Sequence, residues 1–149
     1  MIDMSMVDVT AKPEVYREAA AEGKIKLKPR TINLIREGKI EKGSPFDVAK
    51  IAGILAAKNT SSLIPLCHPL PLTNVDVDIN IVDNSTVEAR ATVKTRAQTG
   101  VEMEALVAVS VALLTIWDMT KQHEKDEAGQ YPSTAIRDIH VVRKIKQDE

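Results

Sequence analysis

The chain has 149 residues, 44% of them apolar and 28% charged, with a formal net charge of −1. Such a length and composition fit a single globular domain over 1–149 with a real core, not a disordered chain. The near-neutral balance supplies no overall field for nucleic acid or an anionic membrane.

In chain order, residues 1–22 are polar and weakly periodic and read as a partly mobile arm. Lys24–Lys28 alternates with period two, which predicts a short half-buried strand ended by Pro29. Thr31 to Glu37 reads as a short helix stopped by Gly38. Ser44-Pro45 is a helix start, a capping hydroxyl followed by proline at the first helical position. That helix should reach about Lys58 and bury Phe46, Ile51, Ile54 and Leu55. Leu63–Leu72 carries Pro65, Pro69 and Pro71 and must be stiff and extended.

Val75, Val77, Ile79 and Ile81 alternate with polar residues, as do Val87, Ala89, Ala91 and Val93 after a turn at Asp83-Asn84-Ser85. This is an antiparallel hairpin with one wet face. Thr99-Gly100-Val101-Glu102 matches a capping box and opens a helix to about Lys121. Its middle is apolar nearly all round, so a sheet alone would not cover it, and a second subunit is a natural candidate for the rest. Its apolar run, Ala105–Trp117, is about 13 residues, short of the roughly 20 that a membrane span needs. Ile139, Val141 and Ile145 suggest a closing strand. The order is that of an α+β, ferredoxin-like βαββαβ sandwich, an antiparallel sheet with helices on one face, expected to be oligomeric. With one cysteine and no basic-then-apolar leader, the chain is expected to be a cytoplasmic protein.

Candidate chemistry falls in three places. Leu66-Cys67-His68-Pro69 puts a thiol and an imidazole on a backbone that Pro69 holds extended. Neighbours on an extended chain point oppositely, so they are not a catalytic pair by position; a structural role is equally open for His68, and Cys67 reads as a small packed residue rather than a nucleophile. In the long helix, Glu102 has a capping explanation, whereas Glu104 sets an acid against an apolar run, which is costly unless paired, so a functional role is as open as a structural one. Asp118 and Lys121 are three apart, neighbours on one helix face, either a surface pair or a poised proton-transfer pair. Glu104 and Asp118 lie about 21 Å apart along the helix and about 40° apart around it, so one subunit cannot easily use both at one centre. Lys42-Gly43-Ser44 stands before a helix N-terminus, at the end of a stretch with seven cations and two anions from Lys24 to Lys42. One cysteine with His68, His123 and His140 offers no zinc-ligand spacing, and no metal or cofactor is expected.

Several segments together resemble one family. They are Met6–Lys12 (MVDVTAK), Lys42-Gly43 leading to Ile51-Ala52-Gly53-Ile54, Leu63–Leu70 (LIPLCHPL), Thr99–Leu106 (TGVEMEAL) and Thr115–Lys121 (TIWDMTK). Their order and nearly chain-long cover closely resemble the cyclic pyranopterin monophosphate synthases, the MoaC family of molybdenum cofactor biosynthesis. The resemblance implies a ferredoxin-like fold and a homo-hexamer built as three dimers, with the pocket at a dimer interface. It also implies a small-molecule substrate, 3′,8-cyclo-7,8-dihydro-GTP, supplied by a radical SAM GTP cyclase, and a pterin product with release of pyrophosphate. The positions it carries over are Lys42, Asp118 and Lys121 for catalysis, and Leu66, Cys67, His68, Glu102, Met103, Glu104 and Lys144 for substrate binding. One departure stands out: Arg143-Lys144-Ile145-Lys146 lacks the glycines that follow the family's C-terminal lysine. Apart from the resemblance, a non-catalytic nucleotide-sensing module and an interaction scaffold would also use such a fold.

Overall fold

The computed structural model describes residues 2–148. Its elements are β1 (Val15–Lys26), α1 (Pro29–Arg36), α2 (Pro45–Lys58), α3 (Thr60–Leu63), β2 (Leu72–Asp83), β3 (Thr86–Ala97), α4 (Glu102–Glu124) and β4 (Ala135–Gln147). The four strands form one sheet in the order β2-β3-β1-β4, every neighbour antiparallel. This is the expected α+β, ferredoxin-like arrangement.

The first strand is the largest departure from the sequence reading. It starts at Val15 rather than Lys24 and is central, paired to β3 on one side and β4 on the other. Residues 15–22, read as part of an arm, therefore lie inside the sheet. Their Ala19-Ala20-Ala21 run is fully buried. Alanine favours helix over strand and shows no alternation, so neither propensity nor period marks it. Small side chains are needed here because α4 lies directly over the strand. A methyl group on Gly23 would come within 2.9 Å of Leu113 and Val109 and 2.8 Å of Ile139.

The same closeness governs α2. Ser44 caps it as expected, its hydroxyl accepting from the Asp47 N–H. Its inward face, however, is Ala49, Gly53, Ala56 and Ala57. A methyl on Gly53 would sit 3.1 Å from the Ala108 carbonyl oxygen of α4. The small residues let the two helices approach, and the larger ones are turned out: Ile51 is 60% exposed and Leu55 52%, contrary to the expected burial, while Phe46 and Ile54 are half-buried.

Helix α4 is the spine of the core. Ala105, Ala108, Val109, Ala112, Leu113 and Ile116 pack it against the sheet and α2. It is long and apolar enough to cross a membrane by length and composition, but half of that stretch is buried inside the fold. Part of the cover expected from a second subunit is thus given by α2, and the flank bearing Leu114 remains exposed at 57%. The helix begins at Glu102 with Val101 as its N-cap and no side-chain cap bond, so Thr99 does not form the expected capping box. Val101 is fully buried, and that burial sets where the chain turns into the helix.

Candidate active site

Two groups of polar side chains stand at opposite ends of α4. At its start, the stretch between α3 and β2 delivers Leu66, Cys67 and His68. The Cys67 N–H donates to the Ile64 carbonyl at 3.1 Å, closing a turn over Pro65 where an extended chain was expected, before Pro69 and Pro71. His68 Nε2 lies 2.7 Å from the Val7 carbonyl oxygen, so that nitrogen carries the proton and donates. These residues, with Glu102, Met103 and Lys12, line a cavity of about 430 Å³. Lys144 on β4 faces the same helix end, its Nζ 3.6 Å from Glu102 Oε2.

Glu104 is the unusual member. It is 3% exposed, its Oε2 meets Cys67 Sγ at 4.0 Å, and its Oε1 has no hydrogen-bond partner among the described residues. Burial pushes its carboxyl above the ordinary carboxylate range, and the nearby Glu102 charge adds to this, against the opposing pull of its own backbone N–H. Burial, then the charge of Glu104, pushes the Cys67 thiol up as well. A thiol so placed is a packed donor and not a nucleophile.

At the other end, Lys42 reaches in from the loop between α1 and α2. Its Nζ lies 3.1 Å from Asp118 Oδ2 and 3.1 Å from the Asp118 backbone carbonyl. Lys121 Nζ lies 3.1 Å from Asp118 Oδ1. Hydrogen bonds from Lys121 and then Lys42 hold the Asp118 carboxyl below its ordinary range. The resting group is therefore a carboxylate clasped on both oxygens by ammonium groups. All three side chains are about half exposed, open to a ligand.

The expected residues thus form two clusters, Leu66, Cys67, His68, Glu102, Met103, Glu104 and Lys144 in one and Lys42, Asp118 and Lys121 in the other. The length of α4 keeps them about 21 Å apart in one protomer. Sequence reasoning missed Lys12 and Val7, which line the first cavity. It also missed Arg17, 6% exposed, whose Nη2 donates to the Gln98 carbonyl at 3.3 Å. All three lay in the segment read as an arm; only the MVDVTAK match pointed there.

The sequence model of the MoaC family matches residues 6–147. This chain belongs to the MoaC family. A relative from Saccharolobus solfataricus, named a probable cyclic pyranopterin monophosphate synthase, is 58% identical over 99% of this chain and 98% of its own length. A Pyrococcus furiosus relative of the same name is 58% identical over 97% of this chain and 92% of its own length. A protein of Methanothermobacter thermautotrophicus named a probable cyclic pyranopterin monophosphate synthase accessory protein is 60% identical over 95% of this chain and 88% of its own. With this MoaC-family membership in place, the two clusters describe complementary chemistry. One offers a buried acceptor and a shaped cavity, the other an ionised acid between two cations.

Proposed function

We propose that this chain is a cyclic pyranopterin monophosphate synthase, acting in molybdenum cofactor biosynthesis. It converts 3′,8-cyclo-7,8-dihydro-GTP into cyclic pyranopterin monophosphate and releases pyrophosphate. The observation that carries the reading is Asp118 held between Lys42 and Lys121, in a chain 58% identical to a relative bearing that name.

The reaction opens a purine ring, closes a pterin ring and a cyclic phosphate, and expels a charged leaving group. Several protons must move. Asp118 starts as a carboxylate and so accepts a proton first, while the lysines beside it donate hydrogen bonds to developing negative charge. Lys42 and Lys121 also suit the triphosphate and the departing pyrophosphate. Glu104, with one oxygen free in a dry setting, suits the two N–H groups on the guanidine-like edge of the base. Leu66, Cys67, His68, Glu102 and Met103 line the cavity next to it, and Lys144 stands against Glu102.

Two clusters about 21 Å apart act on one small substrate only if two protomers bring opposite ends of α4 together. A homo-hexamer of three dimers provides that, and the exposed Leu114, Ile139 and Val142 offer apolar surface for a partner copy. The setting is the cytoplasm, with a radical SAM GTP cyclase as the source of substrate.

Pyrophosphate release on mixing purified protein with the cyclised nucleotide tests the reading. A protein that binds the nucleotide and releases none contradicts it and points to a sensing role.

A further inference from the structure

Lys42 sits on a glycine-bracketed loop between α1 and α2. Gly38 (φ +68°) and Gly43 (φ +116°) bracket it, both in the left-handed region where glycine gives the backbone freedom. Buried Ile40 anchors the loop's middle, and the Gly43 N–H closes a turn on the Ile40 carbonyl at 3.1 Å. Lys42 itself is 47% exposed on a four-carbon stem. Nothing in that alone would hold its ammonium on one carboxylate oxygen.

The neighbouring residue supplies the constraint. Glu41 Oε2 accepts from His123 Nε2 at 2.9 Å and from Gln122 Nε2. The His123 side chain is only 12% exposed, so this is a fixed donor. Gln122 follows Asp118 by four residues, one turn further along α4. Two consecutive loop residues are therefore tied to two successive turns of one helix. The helix end is itself locked: buried Glu124 accepts from the Lys28 N–H at 3.0 Å, from Thr31 and from Thr134 Oγ1 at 2.6 Å. That bond set joins the end of α4 to the start of α1, so the loop hangs from a rigid frame.

We propose that Glu41, clasped by Gln122 and His123, is a positioning residue that seats the Lys42 ammonium on Asp118. The inference rests on the synthase reading and adds to it the residues that set the lysine's place. Glu41 touches no reacting group. It acts through Lys42.

The test measures kcat and KM for Glu41→Ala and Glu41→Gln, each with and without Lys42→Ala. Glu41→Ala lowers kcat about tenfold and leaves KM within about twofold, because a misplaced catalytic group costs rate more than affinity. Glu41→Gln keeps a side-chain oxygen for both donors and stays within about twofold of the wild type. Once Lys42 is alanine, removing Glu41 changes nothing further, a non-additivity that a general folding defect would not give. A wild-type kcat in Glu41→Ala, or the same fold-loss in the Lys42→Ala background, overturns the proposal. If the wild type turns over no substrate, the synthase reading fails separately. A carboxyl ¹³C titration of Asp118 then decides the clasp. Its midpoint rises in Glu41→Ala if Lys42 has left, and an unmoved midpoint overturns the proposal.

Discussion

Glu104 and Asp118 stand on the same helix, α4, with one almost wholly buried and the other open at its far end, about 21 Å away. Each has what the other lacks. On the proposed reading one substrate uses both, and it then meets them from different protomers. Mixing a Glu104→Ala protein with an Asp118→Asn protein, each inactive, therefore restores turnover after subunit exchange. Random pairing gives about a quarter of wild-type activity, the share of sites that draw both intact residues. No recovery after verified exchange would place the whole site within one protomer.

Glu104 also predicts a pH dependence of stability. Its folded carboxyl holds a proton to higher pH than the ordinary value of 4.5 at which the unfolded chain releases it. Between those midpoints the folded state binds more protons, so stability falls as pH rises through that window. Glu104→Gln removes the ionisation. Thermal melts of the two proteins should lie close together near about pH 4 and separate by neutrality, with the glutamine variant the more stable. The same variant should bind substrate more weakly, having lost its acceptor charge. A wild type as stable as the variant at neutral pH would show that Glu104 is not ionised at a cost.

Asp118 shifts the opposite way, and the two lysines contribute unequally. Lys121 is the larger cause and Lys42 the smaller. Carboxyl titration by NMR should find the Asp118 midpoint raised by either lysine-to-alanine change, more by Lys121→Ala. Turnover should fall at least about a hundredfold in each, since each removes a charge placed against the developing anion. Equal midpoints in all three proteins would mean that the clasp does not persist in solution.

Gly23 tests the packing that carries the site. It pairs in register with Ala89 of β3 and has no positive φ, although its pairing to β4 is irregular, so alanine meets chiefly the side chains of Val109, Leu113 and Ile139. Gly23→Ala should cost about 1–3 kcal/mol by forcing α4 off the sheet. Chemical denaturation measures it, and an unchanged midpoint would show that the helix does not sit so close.

Much of this molecule was legible where its side chains alternate or punctuate. The β2–β3 hairpin, the Ser44-Pro45 start and the Gly38 stop were read from period and turn chemistry. The alanine run of β1 was not, because a strand covered on both flanks and pressed by a helix needs smallness, which mimics helix propensity. The exposed Ile51 and Leu55 were misread for the same reason: α2 packs by its small face. Asp118 and Lys121 were found together because helix spacing brings them together. That Lys42 joins them across 76 residues, and that Glu41 sits on His123, are tertiary facts with no local trace.

The most direct measurement follows the cyclised dihydro-GTP with wild type and Asp118→Asn side by side, scoring both pyrophosphate and a pterin product. The account predicts stoichiometric formation of the two in the wild type and loss of both in the variant. Tight binding without product in the wild type, or full turnover in Asp118→Asn, would contradict it.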